Sequence, residues 1–184
     1  MIPGIPFRVL LFALLAAPLF AEEFGLTPTE TYAIKQELGE EVFFLDVRDP
    51  VEIQFTGFTD AVDLNIPFLL VDRTGWSEDG KAFPMPRNPR FLAEVEAALL
   101  DRGLTREAKI VTLCRSGSAR GEPSAAYLRE NGFPNAYFVL HGFQGDVVSE
   151  GENAGFRRKN GWQNSGLPWG NELNPDKIYR PERR

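Results

Sequence analysis

One stretch of the chain concentrates groups that could act on a substrate. It runs Ile110-Val111-Thr112-Leu113-Cys114-Arg115-Ser116-Gly117-Ser118-Ala119-Arg120. The run from Lys109 to Leu113 reads as a strand buried on both faces, and it delivers the chain to Cys114. In an open α/β sheet, ligands bind beyond the carboxyl ends of the strands. A loop of small residues follows, and Gly117 allows backbone angles denied to other residues. Such a loop can turn several N–H groups toward one centre, and the helix after it adds its positive end. Arg115 and Arg120 contribute two full charges. Each of these effects favours thiolate over thiol and an anion bound beside it. Cys114 is therefore the candidate nucleophile, and Arg115, Ser116, Gly117, Ser118, Ala119 and Arg120 form the candidate anion-binding loop. A free cysteine is often just a small buried hydrophobe. Here the chain leaves its strand at the thiol and enters polar, glycine-bearing sequence flanked by arginines, which favours reactivity.

Composition removes several rival chemistries. The chain of 184 residues has one cysteine and one histidine, which excludes a structural Cys/His zinc site and an internal disulfide. His141 is the single candidate base for a Ser-His-Asp triad, and its place after a strand reads as a scaffold role. The net charge is −6, from 20 basic and 26 acidic side chains, which counts against a nucleic-acid partner. Apolar residues at 43% and charged residues at 25% describe an ordinary globular chain, not a disordered one. No metal or organic cofactor is implied.

The elements that must position the loop are legible from caps and periodicity. Thr27-Pro28-Thr29-Glu30 is a capping box with proline at the first helical position, and that helix stops at Gly39. Glu41 to Asp46 reads as a buried strand, and Ala61 to Ile66 as a short alternating one. Asn88-Pro89 opens a helix with Phe91, Leu92, Val95, Leu99 and Leu100 at helical spacing. Pro123 to Asn131 predicts a third helix closed by Gly132, and Ala136 to Leu140 another strand. Strands alternate with helices, so the class is α/β with a mainly parallel sheet. Residues 68–87 and 142–161 show no regular element, and loops this long are usually functional or poorly ordered. Trp76, Trp162 and Trp169 are expected as packing anchors for these loops. Arg157, Arg158 and Lys159 form a short basic run. Asn171 to Arg184 is polar, and a mobile tail is expected.

Met1 to Ala21 reads as an export signal: Arg8 is its only charge, and an apolar run follows to Ala21. The run is too short to span a bilayer comfortably. The expected organisation is a signal peptide at 1–21, one domain at 22–170 and a tail at 171–184. The expected location is periplasmic or secreted, in a bacterial envelope, with no stable membrane insertion after cleavage. In an oxidising compartment a lone thiol is buried, paired between chains, or reactive.

Several segments together resemble the rhodanese-homology domain, the sulfurtransferase family. Cys-Arg-Ser-Gly at 114–117 is similar to its active-site loop. Leu45-Asp46-Val47-Arg48-Asp49-Pro50 with Glu52, Asn65-Ile66-Pro67, Gly132-Phe133 with Ala136-Tyr137, and Gly161-Trp162 with Gly166-Leu167-Pro168 are similar to its other segments. The resemblance spans roughly Leu26 to Trp169. It implies a five-stranded parallel sheet between helices and a cysteine that carries sulfur as a persulfide; residues near 68–87 and 143–160 read as insertions in that domain. Asp46 and Arg48 are supporting residues, Asp46 either steering the loop or making a surface turn, and Arg48 paired with Glu52.

Three features depart from the family pattern. Phe58 stands after Gly57 where histidine is common. His141-Gly142-Phe143 is separated from Gly161-Trp162 by an insertion. Arg120 lies six residues after the cysteine, the Cys-x5-Arg length of cysteine phosphatases, and the irregular start Gly121-Glu122-Pro123 predicts that Arg120 faces outward. The resemblance implies transfer of sulfane sulfur from thiosulfate or a related small anion to a thiol, protein or other thiophilic acceptor. A non-enzymatic persulfide carrier and a phosphatase or arsenate reductase are the alternatives.

Overall fold

The computed structural model describes residues 23–180. The expected export signal at 1–21 and the last four residues of the tail lie outside the described residues. The sheet has five strands: β1 (Gly25–Leu26), β2 (Val42–Asp46), β3 (Leu64–Asn65), β4 (Lys109–Leu113) and β5 (Ala136–Val139). Their order across the sheet is β1-β5-β4-β2-β3, and every pair is parallel. β4 is central, with Asp46 opposite Leu113 in the β2–β4 register. Four helices connect the strands: α1 (Pro28–Leu38), α2 (Pro50–Thr56), α3 (Phe91–Asp101) and α4 (Gly121–Glu130).

Strand periodicity sorts the core into two layers. Phe43, Leu45, Ile110 and Cys114 join the cluster built with Phe91, Val95 and Leu99 of α3 and Ala125 and Leu128 of α4. Val42, Phe44, Val111 and Leu113 join the opposite cluster, with Ile53 of α2, Trp162 and Phe143. Alternation along β4 thus turns the side chain of position 114 toward the α4 face. Each fully buried large apolar side chain stabilises the fold by ~1.5–3 kcal/mol, so the centre of the sheet is a rigid base for the loop that leaves it.

The local signals are met at α1. The Thr27 N–H donates to Glu30 at 2.8 Å and the Glu30 N–H to the Thr27 hydroxyl at 3.2 Å, closing the capping box. Gly39 ends the helix at φ +53°. Elsewhere the structure departs from the sequence reading. β1 and α2 carried too few residues to announce themselves. α2 is seven residues long, started by the Asp49 side chain, which accepts from the Val51 N–H at 2.9 Å. β3 keeps two of the six residues expected at Ala61–Ile66. α3 begins at Phe91 because Asn88 is spent on a turn, accepting from the Arg90 N–H and donating to the Pro67 carbonyl.

Residues 171–180 are not a mobile tail. β3 is an edge strand whose free groups need partners. The Asn65 N–H donates to the Lys177 carbonyl at 2.8 Å, and the Asn65 side chain accepts from the Tyr179 N–H at 3.2 Å. Tyr179 is buried. Trp162 is a fully buried packing anchor; Trp76 and Trp169, 55% and 45% exposed, pack edge-on against Phe83 and Phe143. Among the described residues no helix is long and apolar enough to cross a membrane.

Candidate functional site

Cys114 follows the last residue of β4 and is fully buried. The first residue of α4 lies over its sulfur: a β-carbon on Gly121 would stand 3.5 Å from Sγ. The amino end of α4, with its partial positive charge, therefore faces the thiol. The Thr112 hydroxyl, on the same side of β4, donates to the Gly121 carbonyl at 2.9 Å and ties the helix start to the strand.

The loop from 114 to 120 is laced to the segment after β5. The Phe143 N–H donates to the Cys114 carbonyl at 2.7 Å and the Gln144 N–H to the Arg115 carbonyl at 2.9 Å. Two glycines make that approach possible. Gly142 has φ +59°, and a β-carbon there would lie 2.3 Å from the Cys114 carbonyl oxygen. Gly117 has φ +84°, with the His141 N–H 2.8 Å from where a β-carbon would sit. His141 pairs with Asp146 at 2.9 Å, a scaffold position. Asn160 donates to the Asp146 carboxylate and holds its pKa below the usual range; burial opposes this, and His141 assists.

The arginines divide in two. Arg48 is fully buried, and its guanidinium reaches both Asp46 oxygens, at 2.6 Å for the shortest contact, as well as Thr56 and the Gly57 carbonyl. Asp46 is likewise buried and is not a surface turn. The expected Arg48–Glu52 pair does not form. Asp46 also accepts from the Arg48 N–H at 3.0 Å, so the two residues close on each other at the strand end. Glu52, in the first turn of α2, pairs with Arg120 instead, through two bonds of 2.6 and 2.9 Å.

Arg120 therefore does not face outward. It is the N-cap residue of α4 and is buried, its side chain crossing to α2. A buried guanidinium needs a counter-charge. Burial pulls its pKa down, but the bonds and charge of Glu52, aided by Cys114 and Asp46, leave it raised. Arg115 is exposed, and its Nε–H donates to Gln144 at 2.7 Å. Its pKa is lowered, first by partial burial and then by the neighbouring charge of Arg157. Ser116 is half-buried, Gly117 buried, and Ser118 and Ala119 exposed.

The insertion is a closed excursion. Gly145 and Gly161 stand back to back, a β-carbon on Gly161 falling 2.4 Å from the Gly145 nitrogen. The Trp162 N–H donates to the Gly142 carbonyl at 2.9 Å and the Gln163 N–H to the Phe143 carbonyl at 2.9 Å. The Asn164 side-chain amide reaches the carbonyls of Gln144, Arg157 and Asn160. The chain thus leaves and re-enters the frame at one point, so residues 146–160 are extruded and the flanking segment is preserved. Sequence reasoning missed Glu52 as the partner of Arg120, and Gln144 and Asn164 altogether; the glycines at 145 and 161 were the available signal for the neck.

A cavity of about 470 Å³ opens beside Arg115, lined also by Gln144, Phe156, Arg157, Arg158 and Trp169. A larger one, about 700 Å³, lies around Tyr32, Phe58 and Leu173 and includes no residue of the cysteine loop, so we give it no part in the chemistry. Among the described residues no group of His, Cys, Asp and Glu could hold a metal ion.

Residues 27–146 match the model of the rhodanese-like domain. The chain belongs to the rhodanese-like family. The crystal structure of Rv0390 from M. tuberculosis is 30% identical, with 80% of this chain and 97% of that one covered at a TM-score of 0.59. A rhodanese-related protein from Thermoplasma volcanium is 20% identical, with 80% and 98% covered at 0.44. The polysulfide-sulfur transferase from Wolinella succinogenes is 26% identical, with 64% and 68% covered at 0.39. No curated protein matches the chain. The match to the rhodanese-like domain ends at residue 146, where the extruded insertion begins.

Proposed function

We propose that this rhodanese-like protein is a sulfurtransferase that carries sulfane sulfur as a persulfide on Cys114. The carrying observation is the placement of the only thiol: at the carboxyl end of the central strand, on the α4 face, in a loop laced to residues 142–144. The thiolate attacks the outer sulfur of thiosulfate or a related donor. A sulfur–sulfur bond forms to Cys114 as the donor's own bond breaks, and sulfite leaves with the electron pair. An acceptor nucleophile then takes the outer sulfur and returns the pair to Cys114. Two half-reactions through a covalent intermediate give ping-pong kinetics. Arg115 binds the incoming anion, because its charge is the loop's uncompensated one. Cys114 is fully covered, so the loop at 115–119, exposed at Arg115, Ser118 and Ala119, parts to admit the donor. We also propose that the protein works in the bacterial envelope after removal of residues 1–21, which N-terminal sequencing of fractionated cells tests; intact Met1 in the cytosol overturns it.

The test of the chemistry is intact mass. Thiosulfate adds one sulfur atom to the protein, and cyanide removes it as thiocyanate. Loading without turnover identifies a persulfide carrier, and no loading overturns both readings. One observation favours the phosphatase alternative: Arg120, six residues after the cysteine, is turned inward. Glu52 occupies the fork that would clamp a tetrahedral anion, and this favours the smaller persulfide.

A further inference from the structure

The insertion brings guanidinium groups to the mouth of the cysteine loop. Arg115, Arg157 and Arg158 line one cavity, and none has a carboxylate within ion-pair distance among the described residues. Their contacts are to neutral groups. Arg115 donates to Gln144, Arg157 to the Gly145 carbonyl, and Arg158 to Asn153. Arg158 also lies over the Phe156 ring at 5.5 Å. Phe156 and Trp169 are 58% and 45% exposed and both line the cavity. Like charges held together without counter-ions raise each other's energy, and a bound anion relieves it.

Size argues for more than a small inorganic donor. A cavity of about 470 Å³ falls within the ~300–1,000 Å³ range of organic ligand sites, and thiosulfate has five heavy atoms. Aromatic walls suit a carbon skeleton. The neck of Gly145, Gly161 and the Asn164 amide holds the cationic segment in place, and Phe156, Arg157, Arg158 and Trp169 lie beyond the rhodanese-like match at 27–146.

We propose that Arg157 and Arg158 form a second anion subsite, beside Arg115, that binds the carboxylate of an organic thiol acting as sulfur acceptor. This rests on the sulfur-transfer reading. The body of the thiol lies along Phe156 and Trp169, with its sulfur toward the cysteine loop. Its thiolate attacks the outer persulfide sulfur, the bond from that sulfur to Cys114 breaks, and the electron pair returns to Cys114. The product leaves as an organic persulfide.

The test compares two acceptors of one shape, 4-mercaptophenylacetate and the neutral 4-mercaptobenzyl alcohol, with thiosulfate as donor. Wild type favours the anionic thiol in kcat/KM by about tenfold, the scale of one charged contact at a partly open site. Arg157→Ala/Arg158→Ala brings the ratio toward one, and Arg157→Lys/Arg158→Lys retains most of it. Arg158→Ala alone, which spares the contact of Arg157 to the neck, lowers the ratio in the same direction. Binding of unreactive 4-methoxyphenylacetate to Cys114→Ser by calorimetry separates the two readings. Binding that weakens with Arg157→Ala/Arg158→Ala while no acceptor takes sulfur supports the subsite and rejects the transferase. A wild-type ratio of one, or a ratio that the alanine variants leave unchanged, overturns the subsite.

Discussion

At the same end of the sheet the molecule holds its arginines in two ways. Arg48 and Arg120 are buried, and each carries a carboxylate on its guanidinium fork. Arg115, Arg157 and Arg158 sit at or near the surface with neutral partners only, among the described residues. The first pair binds the frame together, joining β2 to its own turn and α4 to α2. The second group leaves positive charge unspent around the cavity beside the cysteine loop. Arginine after the cysteine therefore does not have one meaning: position 115 faces solvent and position 120 faces Glu52.

That contrast can be broken from either side. The largest effect is expected at Cys114, the proposed nucleophile: Cys114→Ser is expected to abolish sulfur transfer with the melting temperature little changed, and activity above a few per cent of wild type would place the chemistry elsewhere. Next comes Asp46→Ala, which leaves Arg48 buried without its counter-charge. A cost of about 3–5 kcal/mol in denaturant unfolding is expected, and a cost below about 1 kcal/mol, the scale of an exposed pair, would show that Arg48 finds water.

Glu52→Gln converts the buried kind of arginine into the free kind. It is expected to destabilise the fold by about 1–3 kcal/mol, the scale of a charged hydrogen bond lost in a part-buried pair. It is also expected to strengthen inhibition by orthovanadate, because the fork of Arg120 becomes available to a tetrahedral anion. Potent vanadate inhibition of the wild type would instead assign the fork to substrate. Arg115→Ala is expected to lower kcat/KM for thiosulfate by about tenfold while leaving stability within about 0.5 kcal/mol, as an exposed substitution does. An equal loss on Arg120→Ala with stability unchanged would erase the distinction.

The smallest effect concerns the neck that carries the insertion's arginines. The Asp146 pKa is depressed, so its ionised form is the one held by Asn160 and His141. The contribution is complete above the ordinary aspartate value of ~3.9 and disappears as pH falls through the lower folded value. Proteolysis within 147–159 is expected to accelerate in that acidic range, and Asp146→Asn to abolish the acceleration. A flat profile in wild type would show that the glycines and Asn164 hold the neck alone.

What was legible in the sequence was what depends on neighbours along the chain. The capping box at Thr27–Glu30, the apolar run into Cys114 and the glycine at 117 announce a helix, a buried strand and a tight loop through local backbone and periodicity. The α/β class and the cysteine loop follow from them. α2 was not legible because seven residues after Asp49-Pro50 carry little periodic signal, and β1 because two residues carry none. The docked tail was invisible because its partner, Asn65, lies more than a hundred residues earlier on an edge strand whose free groups only the assembled sheet reveals.

The residue types along the chain determined that a thiol would stand after a buried strand among arginines. Which arginine would be neutralised was decided only by the tertiary structure. Glu52 is four residues from Arg48 and sixty-eight from Arg120, yet it pairs with the distant one. Asp46 closes on Arg48 at the strand end, and the packing of α2 against the sheet carries Glu52 to the start of α4. Ion pairing follows distance in space and burial, and both are set by the packing of whole elements rather than by spacing along the chain.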